Sequence, residues 1–108
     1  MTLAFELDMR GDTAAVRLTG RIDRDAGGIL EHAYVAASAV GPAAVELGFD
    51  DVDYINSSGI ALIVGLLARA RAEGLPVRAA GLTPHYRHIF EITRLSDFIE
   101  IVVQPAPH

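Results

Sequence analysis

Several absences set the first limits on this chain. Its 108 residues include no cysteine and no tryptophan, and all nine of its basic residues are arginine. Without cysteine there can be no disulfide framework, no thiolate zinc site, no thiol nucleophile and no cysteine-held iron–sulfur centre. Long apolar runs are missing too. Outside the N-terminus, the longest is Ile60 to Ala68, counting Gly65, far short of the ~20 residues a helix needs to cross a bilayer. Nor is there a contiguous basic surface. Arg10, Arg17, Arg21, Arg24, Arg69, Arg71, Arg78, Arg87 and Arg94 are scattered, mostly beside acids, and the formal net charge is −5. Duplex binding wants a basic patch that releases counterions, so no nucleic-acid partner is expected. Glu6 and Asp8 interrupt the opening apolar segment and argue against a signal peptide. The expectation is one small cytoplasmic domain with no membrane span, 51% hydrophobic in composition and therefore too apolar to be disordered.

What is present alternates and then changes period. Leu3, Phe5, Leu7 and Met9 fall on one face of an extended segment, because side chains of a strand point alternately to its two sides. Gly11-Asp12 supplies a turn, and Ala14, Val16 and Leu18 alternate again, which predicts a hairpin. From Asp25 onward Ile29, Leu30, Ala33, Tyr34 and Ala37 recur at helical spacing until Gly41-Pro42. Ala43 to Phe49 reads as a buried strand, followed by an acidic loop carrying Asp50, Asp51 and Asp53. A helix over Ile60–Glu73 should be buried over a wide face, with Gly74 as its stop. Val77–Ala80 predicts a strand, Thr83-Pro84 a helix start, and Phe98–Val103 a last strand. Strand–helix alternation implies parallel neighbours. The predicted fold is α/β, a mixed four- to five-stranded sheet opened by a hairpin with about three helices packed on it. The domain should cover 1–103, with 104–108 a disordered C-terminal tail.

One segment stands above this background: Asp53-Tyr54-Ile55-Asn56-Ser57-Ser58-Gly59-Ile60. Asn and Ser are preferred helix caps because their side-chain oxygens accept first-turn amide protons. Capping is the first reading of Asn56, Ser57 and Ser58. The same end of a helix carries free amides and roughly half a positive charge, which favours an anion. A phosphate on one of these serines would meet that field and add about −1.5 to −2 charge beside three aspartates.

Asn56-Ser57-Ser58-Gly59-Ile60 resembles the Asp-Ser-Ser-Gly-Leu signature of the STAS domain family, named for sulphate transporters and anti-sigma factor antagonists. Val16-Arg17-Leu18-Thr19-Gly20-Arg21-Ile22-Asp23 is similar to the family's second strand, which ends in Gly-x-Leu-Asp, and Pro84, Phe90 and Leu95 match the spacing of its third helix. The resemblance covers nearly the whole chain and implies the STAS fold. In the antagonist branch it further implies a non-enzymatic protein that binds a kinase-type anti-sigma factor. Phosphorylation by that kinase then releases it, and a phosphatase restores it. By this match Ser57 is the phosphoacceptor. Asp23, Asp53, Tyr54, Asn56, Ser57, Ser58, Gly59 and Ile60 form the partner-binding set, with no catalytic residue, cofactor or metal. Asn56 stands where phosphorylated members commonly have Asp, Arg21 where the position is often acidic, and Arg94 where Gly is common after the third helix. Little chain remains after the last strand for the family's C-terminal helix. STAS domains also serve as non-phosphorylated subunits of lipid-transport ATPases or as signalling scaffolds, which is the second implied reading.

Other constellations weigh less. His85 and His88 lie three apart, but no third ligand accompanies them, so surface histidines are expected rather than a metal site. A serine hydrolase would want Gly-x-Ser-x-Gly, and a Walker loop its Gly-rich run and lysine; the chain has neither.

Overall fold

The computed structural model describes residues 2–102. β1 (Ala4–Arg10) and β2 (Thr13–Ile22) pair antiparallel through a turn at Gly11, whose φ of +63° suits glycine. A 3-10 turn at Arg24–Ala26 leads into α1 (Gly27–Ala39). Then come β3 (Ala44–Ile55), α2 (Ser57–Ala72), β4 (Val77–Ala80), α3 (Pro84–Ile92), a 3-10 turn at Leu95–Asp97 and β5 (Glu100–Ile101). The sheet order is β1-β2-β3-β4-β5, antiparallel in the hairpin and parallel thereafter. The mixed five-stranded α/β architecture expected from the sequence is present, with three helices. The expected tail at 104–108, and Val103 of the expected last strand, lie outside the described residues.

One sheet face holds the core. Ala14, Val16, Leu18 and Ile22 of β2 and Val45, Leu47 and Phe49 of β3 are buried beneath Leu30, Ala33, Tyr34, Ile63, Leu67 and Phe90 of the helices. Phe49 meets Phe90 edge to face at 5.8 Å. The opposite face is open. Arg17, Thr19 and Arg21 are exposed along β2, and Arg17 pairs with Glu6 at 3.1 Å and Asp51 at 3.7 Å.

Four expectations are corrected. Asp50, Asp51 and Asp53 belong to β3, which continues to Ile55, instead of forming a loop. Pairing along β2, through Thr19↔Asp51 to Ile22↔Ile55, overrides the low strand preference of aspartate, while the carboxylates stay exposed. The last strand is only Glu100–Ile101, because Leu95–Asp97 forms a 3-10 turn that leaves Phe98 52% exposed. α2 buries one narrow face (Gly59, Ile63, Leu66, Leu67 and Ala70), while Ala61, Val64, Gly65 and Ala68 remain exposed. Met9, which alternation places on the half-buried face with Leu3, Phe5 and Leu7, is 41% exposed near the hairpin turn.

Arg94 follows α3 with φ 63° and ψ 18°, a left-handed conformation in which a Cβ crowds the following carbonyl, costing about 1–2 kcal/mol. Its contact with Asp97 at 3.2 Å is solvent-exposed and offsets little of this. Arg94→Gly should therefore stabilise the fold by about 1 kcal/mol and raise the melting temperature by about 4–8 °C, as calorimetry would show.

Tyr34, 2% exposed, donates its hydroxyl to Glu73 Oε1 at 2.6 Å, tying α1 to the end of α2. Burial, helped by that hydrogen bond, pushes the phenol up to about 12. The bonds from Tyr34 and then Arg69 hold the Glu73 carboxyl below its ordinary value. The carboxylate contribution is present above the usual carboxylate range and lost as pH falls through Glu73's lowered titration. The phenol contribution is present below pH about 10 and lost as pH rises towards about 12. Tyr34→Phe should be less stable than the parent at neutral pH, with the gap narrowing in acid; urea titrations across pH would measure it.

Candidate functional site

The parallel β2–β3 ladder delivers two chain segments to one end of the sheet. Register pairs Arg21 with Tyr54 and Ile22 with Ile55, so Asp23 and Asn56 leave the sheet side by side. The amide of Asn56 donates to the Ile22 carbonyl at 3.3 Å. Asn56 is extended (φ −103°, ψ −177°) and is the N-cap of α2, its Oδ1 accepting the Gly59 amide at 2.9 Å. Of the three candidate capping residues, Asn56 alone takes the cap. Ser57 and Ser58 are the first two helical residues, and both are exposed.

Gly59 is buried, and the reason is steric. A Cβ there would overlap the Ile22 carbonyl oxygen and lie 2.6 Å from its carbon. Only glycine lets α2 approach the end of β2 this closely. Ile60 is half-buried and packs against the core. Asp23 is also half-buried. Its carboxylate caps the following 3-10 turn, accepting the Asp25 amide at 3.0 Å, and stands 3.7 Å from Arg21 Nε. Asp53 and Tyr54 are exposed on the last stretch of β3, and the Arg21 guanidinium stacks over the Tyr54 ring at 4.6 Å. Asp23, Asp53, Tyr54, Asn56, Ser57 and Ser58 thus gather at one end, with Gly59 and Ile60 beneath them.

Electrostatically the first turn of α2 is unfilled. It contains no acidic side chain, while both basic residues of the helix, Arg69 and Arg71, lie in its last turn. Free first-turn amides together with a helix dipole favour negative charge here.

Tyr86 of α3 is a site-supporting residue that no sequence motif singles out. Its hydroxyl accepts the Ile55 amide at 3.0 Å and so holds the end of β3 one residue before the cap. Helical periodicity identifies the face but carries no information about where the hydroxyl ends. Thr83 caps α3 through the Tyr86 amide at 3.2 Å, with Pro84 at the first turn as expected. His85 and His88 are both exposed, and among the described residues no group of three or more His, Asp or Glu is arranged to hold a metal ion. No helix among them is long and apolar enough to cross a membrane.

Residues 5–103 match the family described as "Mlab, STAS domain", and the chain belongs to the STAS domain family. Over 101 residues it is 25% identical to the anti-sigma-B factor antagonist of Bacillus subtilis (strain 168), covering 94% of this chain and 92% of that protein. The fold superposes with a TM-score of 0.76 on an anti-sigma factor antagonist from Mycobacterium paratuberculosis, at 19% identity over 95% of this chain and 87% of that one. It superposes with a TM-score of 0.66 on the phosphorylated form of the Bacillus cell fate determinant SpoIIAA, at 22% identity over 94% of this chain and 93% of that one.

The packing at Gly59 makes a sharp contrast available. Gly59→Ala should destabilise by about 3 kcal/mol, the upper range for overpacking, because the obstacle is backbone. Asn56→Ala should lose about 1 kcal/mol, as for other caps, and Asn56→Asp should keep the cap and gain a few tenths from the dipole. Denaturant midpoints of the three variants test this ranking.

Proposed function

We propose that this chain is an anti-sigma factor antagonist that binds a kinase-type anti-sigma factor and is switched off by phosphorylation of Ser57. The observation that carries the reading is the placement of Ser57. It is the first residue of α2, exposed, directly after the Asn56 cap and at the same end of the sheet as Asp23 and Asp53. The similarity to the Bacillus subtilis anti-sigma-B factor antagonist and to the phosphorylated form of SpoIIAA supports it.

The mechanism follows from charge. The partner kinase supplies the phosphoryl-transfer chemistry, and this chain supplies the hydroxyl and the docking surface; it has no catalytic role of its own. A phosphate on Ser57 places about −1.5 to −2 charge on a turn with no acid of its own. The helix end tolerates that charge, since first-turn amides favour an anion. An interface pressed against the same turn does not, because it must desolvate the dianion beside Asp23 and Asp53. Folding is preserved while binding is lost, and a phosphatase reverses the change. Release of the sigma factor by the unmodified antagonist then regulates transcription in the cytoplasm.

Incubation with the cognate anti-sigma kinase and ATP, followed by intact-mass analysis, should show one added phosphate on the parent and on Ser58→Ala, and none on Ser57→Ala. Phosphate uptake by Ser57→Ala equal to the parent would sink the assignment. Asn56, where phosphorylated relatives commonly carry Asp, favours one second reading, a non-phosphorylated STAS subunit of a lipid-transport ATPase. Co-purification with an ATP-binding transporter subunit, unaffected by Ser57→Asp, is the result that would select it.

A further inference from the structure

Ser57 sits between two side-chain clamps on the backbone. Before it, the Ile55 amide donates to the Tyr86 hydroxyl at 3.0 Å; after it, the Gly59 amide donates to Asn56 Oδ1 at 2.9 Å. The second clamp is local, a helix cap made by the adjoining residue. The first comes from α3, 31 positions further along the chain.

The sheet creates the need for that distant clamp. β4 ends at Ala80, opposite Gly48, while β3 runs on to Ile55. From Phe49 onward, β2 is the only strand paired with β3 among the described residues. An amide on the vacated edge has no ladder partner there, and Ile55 is buried, where an unpaired N–H is costly. The Tyr86 hydroxyl takes the place of the missing strand carbonyl. Its own position is fixed by three contacts. Thr83 Oγ1 accepts the Tyr86 amide at 3.2 Å, the Tyr86 ring packs on the core, and Phe90, one turn later, is buried edge to face against Phe49.

We propose that Tyr86 is the positioning residue of the acceptor turn: its hydroxyl holds the end of β3 so that Asn56, Ser57 and Ser58 stand in the arrangement a kinase docks to. The acceptor role rests on the reading of Ser57 given above; the hold on the turn does not. Without the hydroxyl, the Ile55 amide must reach water, and the strand end moves away from α3 to let it. That movement loosens the Asn56 amide from the Ile22 carbonyl, a bond already long at 3.3 Å. The turn then spends only part of its time in the docking arrangement, and a partner's apparent affinity falls in proportion to that fraction. The bound complex restores the arrangement. The loss therefore appears in KM, which tracks affinity where release outpaces chemistry, and not in kcat.

Tyr86→Phe removes the accepting atom and keeps the ring. With the cognate anti-sigma kinase and ATP, it should raise KM for this chain about three- to tenfold, equivalent to a competent fraction of roughly 0.1–0.3, with kcat unchanged. Tyr34→Phe, which removes a phenol bond between α1 and the end of α2, should leave both constants as they are. Circular dichroism checks that both variants are folded at the assay temperature. Amide exchange followed by NMR, with no kinase present, should show Gly59 as well as Ile55 opening about tenfold more often in Tyr86→Phe than in the parent. An unchanged KM, an equal rise in Tyr34→Phe, or a fall in kcat at constant KM overturns the proposal. So does faster exchange confined to Ile55, because the hydroxyl then satisfies one amide and positions nothing. If Tyr86→Phe does not fold, the parent decides. An Ile55 amide exchanging as fast as the first-turn amide of exposed Ser58 overturns the proposal, and strong protection of Ile55 sustains it. If the parent takes no phosphate on Ser57, the earlier reading sinks, and the exchange comparison alone decides whether Tyr86 holds the turn.

Discussion

The carbonyl of Ile22 is the point on which the site depends. It closes β2, accepts the amide of Asn56 at 3.3 Å, and forms the floor against which Gly59 is pressed. Three chain segments meet at that single peptide group: the end of one strand, the exit of its parallel neighbour and the first turn of α2. The parallel β2–β3 ladder brings them within reach, and the missing side chain at Gly59 lets them close. The orientation of α2, and with it the exposure of Ser57, follows from this contact.

Much of this architecture is legible from sequence because its causes are local. Period-two alternation marks β1 and β2, helical spacing marks α1, and Thr83-Pro84 marks the start of α3 through a cap and a fixed φ. The misreadings share an opposite origin. Asp50, Asp51 and Asp53 look like loop residues in isolation, and only pairing with β2 makes them strand. Phe98 looks like the start of a strand because it is aromatic, but a turn ending beside it leaves it outside. The apolar Val64 and Ala68 suggest broad burial of α2, but whether anything covers them is decided by elements distant in sequence.

The candidate site divides in the same way. Asn56, Ser57 and Ser58 announce a helix start by composition. Which of them caps is settled by the backbone, which is extended at Asn56 and helical from Ser57. The proximity of Asp23, the stacking of Arg21 on Tyr54 and the Tyr86 hydroxyl on the Ile55 amide are products of register, to which no local pattern points. Arg94 lies between the two cases. Its left-handed backbone is a local constraint, visible only through resemblance to chains that place glycine there.

The uncovered side of the sheet has a kinetic consequence. Parallel strands are usually sealed on both faces, whereas here one side is a mesh of arginine–carboxylate contacts such as Arg17–Glu6 and Arg10–Glu46. Stripping water from such pairs is unfavourable unless a partner supplies matching charges. Collisions centred on that mesh should separate without consequence, while those on the helical side or at the end that carries Ser57 and Tyr54 can proceed to docking. The domain is thereby two-sided in solution. Its productive encounters are confined to about half of all approach directions, a restriction that contributes to the orientational penalty holding protein association below the diffusion limit.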